Sequence, residues 1–259
     1  MLSGSASSYS TRPIVGAAVT PRDAPAAAER SRATARRIGD AMQLIARSLA
    51  PSRHVVHEGD TICHAGQRFE NLYVLNSGCA KIFSLAGDGR EQMVGLKFRG
   101  DWLGFDGIAT GQYTCSTVAM DTGEVWVVRY QALLDACAAQ PALIGLLHGE
   151  MSRQISRERE SLMSVCTLPA DARVAEFLRL WADSLDERGL RNDQITLPLS
   201  RAEIGNYLGL TLETVSRSLS KLARDKLIAF AERRRRDLQI PDVDALTAYV
   251  QRSLAPTLQ

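Results

Sequence analysis

The chain has 259 residues, 45% of them hydrophobic, with 31 Lys and Arg against 29 Asp and Glu, for a net charge of +2. That length accommodates two domains, and the near-balance of charge excludes a polycation, so any affinity for nucleic acid must come from localised charge. No run of about 18 apolar residues occurs, so the sequence predicts no membrane span and a soluble, cytoplasmic protein.

Residues 1–33 are rich in Ala, Ser and Pro and poor in large apolar side chains, which predicts a disordered tail. An amphipathic helix is expected over 34–50, with Ile38, Met42, Leu44, Ile45 and Leu49 as its apolar set. From Val55 to Arg129 short apolar runs (LYVL, AKIFSL, MVGLKF, TVAM, EVWVV) alternate with glycine-containing turns. That spacing suits a small antiparallel barrel or double roll, and a first domain over 34–138 is expected.

Residues 139–167 form the next unit. Leu147, Met151, Ile155, Leu162 and Val165 recur in steps of three and four or their sums, a stripe that suits a long helix packed against a partner helix. Glu158 falls within the stripe, where two symmetry-related carboxylates would repel unless paired. The segment PADARVAEFLRLWADSL then opens a last domain over 168–259, with Val174, Phe177, Leu178 and Trp181 inward.

The stretch SRAEIGNYLGLTLETVSRSLSKLARDK, residues 200–226, carries the most chemistry. Ser200 and Glu203 have the spacing of a capping box, Gly209 suits a left-handed helix end, and Thr211 can cap a second helix. Val215, Leu219 and Leu222 line one face of that second helix; Glu213, Ser216, Arg217 and Ser220 line the other. This is the pattern of a helix-turn-helix, whose second helix enters the major groove by its N-terminal part. There Arg217 can bond guanine, Glu213 can accept from cytosine, and Ser216 can serve several base edges. After it, LIAFAERRRRDLQI reads as a hairpin with a strand over 227–231, a turn around Arg233 to Arg236, and a return strand before Pro241. Such a wing would set Arg233, Arg234, Arg235 and Arg236 against phosphates. Ser200, Thr211, Ser220 and Lys221 complete the expected backbone contacts.

The helix-turn-helix, IGNYLGLTLETVSRSL above all, resembles the CRP/FNR superfamily of bacterial transcription regulators and its FNR branch in particular. GDTICHAGQRFENLYVLNSGCAKIF is similar to the cyclic-nucleotide-binding roll of the same superfamily, so the resemblance covers about 55 to 250. It implies an α+β architecture: an antiparallel cyclic-nucleotide-binding-like β-roll, a long dimerisation helix and a C-terminal winged helix-turn-helix. It also implies a homodimer whose seam uses Leu147, Met151, Ile155, Glu158, Leu162 and Val165. In the branch, residues matching Glu213, Ser216 and Arg217 read a palindrome like TTGAT-N4-ATCAA, and RNA polymerase is the expected partner of an activator.

The resemblance also says what is missing. Family members that bind cAMP carry a glutamate, arginine and serine after a GD-x-x-G pattern; here Phe105 stands at the glutamate position and Cys115 precedes Ser116 where the arginine is expected, so cAMP is disfavoured. Oxygen sensors of the branch hold a [4Fe-4S] cluster on three N-terminal cysteines and one in the roll. This chain has no cysteine before Cys63, and the fourth position falls on Trp126, so that cluster is disfavoured too and no cofactor is expected. The five cysteines read as small apolar residues of a reducing cytoplasm, with Cys115 and Cys166 the candidates for a thiol switch. His54, His57 and His64 leave open a haem- or nitric-oxide-sensing member of the superfamily. A ligand-binding module acting through a protein partner is the alternative of another class. No nucleophile elbow, phosphate-cradling glycine loop or zinc-binding HExxH occurs, so the chain is not expected to be an enzyme.

Overall fold

The computed structural model describes residues 24–231 and 234–254. Helix α1, Ala24–Leu49, begins the described chain. Ten residues expected in a disordered tail are therefore its first turns, and 1–23 lie outside the described residues. The correction has a local cause: APAAAERSRA lacks large apolar groups, but Ala, Glu and Arg are strong intrinsic helix formers.

Two four-stranded antiparallel sheets follow. Strands β1 (Ser52–Val56), β8 (Gly123–Arg129), β3 (Asn71–Ser77) and β6 (Trp102–Leu103) make one, in that order. Strands β2 (Thr61–Cys63), β7 (Ser116–Ala119), β4 (Ala80–Leu85) and β5 (Glu91–Lys97) make the other. The five apolar runs of the sequence are β3, β4, β5, β7 and β8. Pairing of Leu72 with Val128 and Val74 with Trp126 puts four large side chains on the buried face beneath the helices.

That face is covered by Ile38, Met42 and Ile45 of α1, by Leu133 of α3 (Tyr130–Ala139), and by Leu143 and Leu147 of α4 (Ala142–Thr167). Between β6 and β7 lies the single turn α2, Gly107–Thr110. Leu147, expected in a dimer seam, is thus buried within its own chain, and Met151 packs half-buried on the same cluster. Farther along the stripe, Ile155 and Leu162 are exposed.

The C-terminal domain begins at α5, Ala170–Asp186, one turn past the end of α4. It continues through β9 (Gln194–Thr196), α6 (Arg201–Leu208), α7 (Leu212–Arg224), β10 (Ala229–Ala231), β11 (Arg234–Gln239) and α8 (Val243–Leu254). Strands β10, β11 and β9 form an antiparallel wing sheet. Val174, Phe177, Leu178 and Trp181 of α5 meet Ile204, Val215, Leu219 and Leu222 in one core. Met93, Phe98 and Met120 of the roll belong to that same core, so the two domains share buried apolar surface.

Candidate nucleic-acid interface

The reading hairpin is set by local bonds. Ser200 Oγ accepts from Glu203 N, and Glu203 Oε2 accepts from Ser200 N at 2.8 Å, closing the expected capping box. Gly209 ends α6 at φ 65°, a left-handed backbone that glycine takes without a steric penalty. Gly205 has a different role: a Cβ there would lie 2.6 Å from the Leu210 carbonyl oxygen, so only glycine lets the turn fold back this closely. Thr211 Oγ1 then accepts from Thr214 N at 3.1 Å and caps α7.

Helix α7 divides as its sequence requires. Val215, Ser218, Leu219 and Leu222 are buried, whereas Glu213, Arg217 and Ser220 are exposed and Ser216 is half-buried. Among the described residues no ion pair joins Glu213 to Arg217, which leaves both side chains available. Ser216 Oγ accepts from Arg201 Nη1 at 3.1 Å, and the Arg201 guanidinium lies 5.9 Å from the centroid of the Phe230 ring on β10. Arg201, on α6, thereby links the reading helix to the wing; its charge was visible in the sequence but not this placement.

Three of the expected backbone-contacting side chains, those of Lys221, Ser200 and Ser220, already have partners within the domain. Lys221 pairs with Asp171, whose other oxygen accepts from Ser218 Oγ at 2.6 Å, so Lys221 braces α7 against α5. Partial burial alone would raise the Asp171 pKa, but the bonds from Lys221 and Ser218 outweigh it and hold the carboxyl below its usual range. The Ser200 hydroxyl is used up in the capping box, donating to Glu203 Oε2 at 2.7 Å as well as accepting. Ser220 Oγ donates to Ser216 O at 2.8 Å. In the wing, strand β11 starts at Arg234, paired with Ala231, so Arg234 to Arg236 belong to a strand and not to the turn expected there. Arg233 lies outside the described residues, and Arg236 is exposed.

The hairpin is also clasped to the roll. Asn206 on α6 accepts from Met93 N at 2.6 Å through Oδ1 and donates to Glu91 O at 3.0 Å through Nδ2. Its own carbonyl accepts from Gln92 Nε2, and Lys81 on β4 pairs with Glu203. Partial burial would raise the Glu203 pKa; the Lys81 ammonium and the Ser200 bonds overcome this and depress it. Deeper in, Asp101 is 5% exposed and accepts from Arg157 Nη1 of α4 at 2.8 Å, with Arg188 Nη2 at 3.4 Å from each oxygen.

Beneath α4 the roll holds a cavity of about 140 Å³ bordered by Lys97, Asp106, Cys115, Arg157, Glu158 and Tyr207. Phe105 is stacked on Trp102 with centroids 5.9 Å apart, and Ser116 Oγ accepts from Ala65 N. Burial pushes the Cys115 thiol up, and Cys166 is exposed. His54 stands exposed on β1, and His57 Nδ1 lies 3.5 Å from Asp60. Among the described residues no three His, Cys, Asp or Glu side chains converge as a metal site, and no helix is long and apolar enough to cross a membrane.

A roll joined through a long helix to a capped, winged helix-turn-helix with a free polar reading face defines a DNA-binding regulator. Residues 53–140 match the family model of the cyclic nucleotide-binding domain, and 172–249 match that of the Crp-like helix-turn-helix domain. The chain is 30% identical to the fumarate and nitrate reduction regulatory protein of Salmonella typhimurium over 193 residues, 74% of this chain and 76% of that protein. It is 33% identical to the transcriptional activator protein Anr of Pseudomonas protegens over 172 residues, 66% of this chain and 70% of Anr. Among solved structures, FixK2 from Bradyrhizobium japonicum superposes with a TM-score of 0.67 at 25% identity, covering 76% of this chain and 96% of FixK2. The chain belongs to the CRP/FNR family and is a DNA-binding transcription regulator.

Proposed function

We propose that the protein acts as a homodimeric activator that reads a TTGAT-N4-ATCAA-like palindrome, one half-site per α7. The observation that carries this reading is the exposed, mutually unpaired Glu213 and Arg217 on the first turns of a capped second helix, with Ser216 beside them. The similarity to Anr, a transcriptional activator, supports the direction of control; RNA polymerase is the partner such an activator would engage. The dimer reading rests on α4, where Ile144, Ile155 and Leu162 are 41%, 47% and 64% exposed in the single chain. Separations of eleven and seven residues bring these three back to one helix face. Ile144 thus replaces Leu147 in the proposed seam, while Ile155, Glu158, Leu162 and the half-buried Met151 and Val165 stay in it.

The proposed regulator works without cAMP and without a four-cysteine cluster. The cavity beneath α4 is smaller than the ~300–1,000 Å³ of ordinary small-molecule sites. The cysteines at 63 and 137 are buried apart from one another in separate clusters of the roll.

Fluorescence anisotropy tests the reading. At physiological salt the palindrome should bind about 10³-fold or more tightly than a scrambled duplex; equal affinities defeat the proposal. Glu158 accepts from Gln154 Nε2 at 2.9 Å within its own helix. Removing its charge should therefore relieve repulsion across the seam, and sedimentation equilibrium of Glu158→Ala should show a tighter dimer.

A further inference from the structure

Where α5 ends, the roll and the DNA-binding domain enclose a cleft of about 450 Å³, within the ~300–1,000 Å³ range of small-molecule sites. Its apolar wall includes Phe98 and Trp181, edge to face with centroids 5.1 Å apart, and Ile195. Its charged lining is Arg99, Arg188 and Arg191 against one carboxylate, Asp121. Arg191 is matched by Asp193 outside the cleft, and Asp121 accepts from Cys79 N. Arg99 spends its Nε on Asn76 O at 3.1 Å, and its two terminal nitrogens have no partner among the described residues.

Arg188 is the unusual member. Its side chain is 2% exposed; Nε and Nη1 donate to the Arg99 and Ser184 carbonyl oxygens at 2.8 and 2.6 Å. Its contacts with charge are long: 3.4 Å to each Asp101 oxygen and 3.8 Å to Glu187, against ~2.7–2.9 Å for a well-made charged bond. Arg157 already occupies Asp101, and the nearby buried Lys97 donates to a neutral group, Gln154. Positive charge is therefore in surplus at this junction. Burial draws the pKa of Arg188 and of Lys97 below their ordinary values, as incompletely compensated cations require.

We propose that the cleft is an effector site for a small aromatic carboxylate, its ring against Phe98 and Trp181 and its carboxylate held by Arg99 and Arg188. Such a ligand touches the roll through Phe98 and Arg99 and the DNA-binding domain through Trp181 and Arg188, so it favours one relative placement of sensor and reader. The recognition is non-covalent. Burial and the neighbouring Asp121 push the Cys79 thiol far up, which keeps it protonated.

Isothermal titration of the full chain with benzoate, phenylacetate and indole-3-acetate, each beside its neutral amide, tests the site without DNA. A failure of the palindrome reading therefore leaves this result intact. At least one acid should bind saturably, with its amide and the exposed-site variant Arg99→Gln about tenfold weaker or more. Leu190→Trp, at an exposed position on the lip of the cleft, should fill it and abolish binding while leaving the far-UV circular dichroism unchanged. Absence of binding by every acid, equal binding of acid and amide, or undiminished binding by Leu190→Trp would each overturn the proposal.

Discussion

The reading hairpin and the junction under the roll are both polar constructions, built at opposite ranges. In the hairpin, Ser200 meets Glu203 and Thr211 meets Thr214 across three residues, and Arg201 meets Ser216 across fifteen. At the junction, Asp101 meets Arg157 and Arg188 across 56 and 87 residues. The hairpin's bonds are partly solvated; two of them cap the starts of α6 and α7, and the third ties one helix to the other. The junction's charges are buried, and they tie the roll to α4 and to the last residues before the wing sheet. Local polar bonds shape the reader; distant ones decide where it sits.

Asp101→Asn puts the largest strain on this contrast. Removing one partner of a buried charge cluster costs about 3–5 kcal/mol, and urea denaturation should show a loss of that order. A loss under about 1 kcal/mol would place the junction on the same footing as a surface pair. Burial alone would raise the Asp101 pKa; Arg188, Arg157 and Lys97 outweigh it and hold it below the ordinary value. Its stabilisation is accordingly complete above about pH 4 and lost as pH falls through the lower folded-state value. Over that acid range the variant should lose less stability than the parent.

Arg217→Ala should act on recognition alone. Discrimination at one guanine should fall by about 1–3 kcal/mol, with the urea midpoint unchanged, as read by anisotropy on duplexes substituted base by base. Equal weakening on every duplex would mean that the side chain meets a phosphate. Ser200→Ala should have the smallest effect, about 1 kcal/mol of stability from one lost cap. Its DNA affinity should recover at lower temperature if the cap serves only folding.

This difference in range also explains what the sequence could tell. The caps, Gly209 and the split of α7 into a buried and a reading face follow from residues within one or two turns of each other, so they were legible. So were five strands of the roll, each a short apolar run between turns. Helix α3, strand β9 and helix α8 carry no such local signal, and the first ten residues of α1 have helix propensity without an apolar stripe to announce it. On α4 the periodicity showed a stripe but not what would cover it: Leu147 turns to the roll while Ile155 and Leu162 stay open. Lys221 looked like a free cation beside the reading face because nothing in its neighbourhood announces Asp171, 50 residues earlier. Asn206 and Asp101 had no local signature at all.

Asn206 has a consequence for solubility. Strand β5 is the last strand of its sheet, and its outer peptide groups at Glu91 and Met93 would face water unpaired without the Asn206 amide. An unpaired outer strand is a template for another chain, and covering it is one way proteins avoid edge-to-edge aggregation. The reading hairpin therefore also serves as the guard of a sheet edge. Any rearrangement that swings the reader away from the roll uncovers that edge, so the protein's freedom to move is limited by its need to stay dispersed.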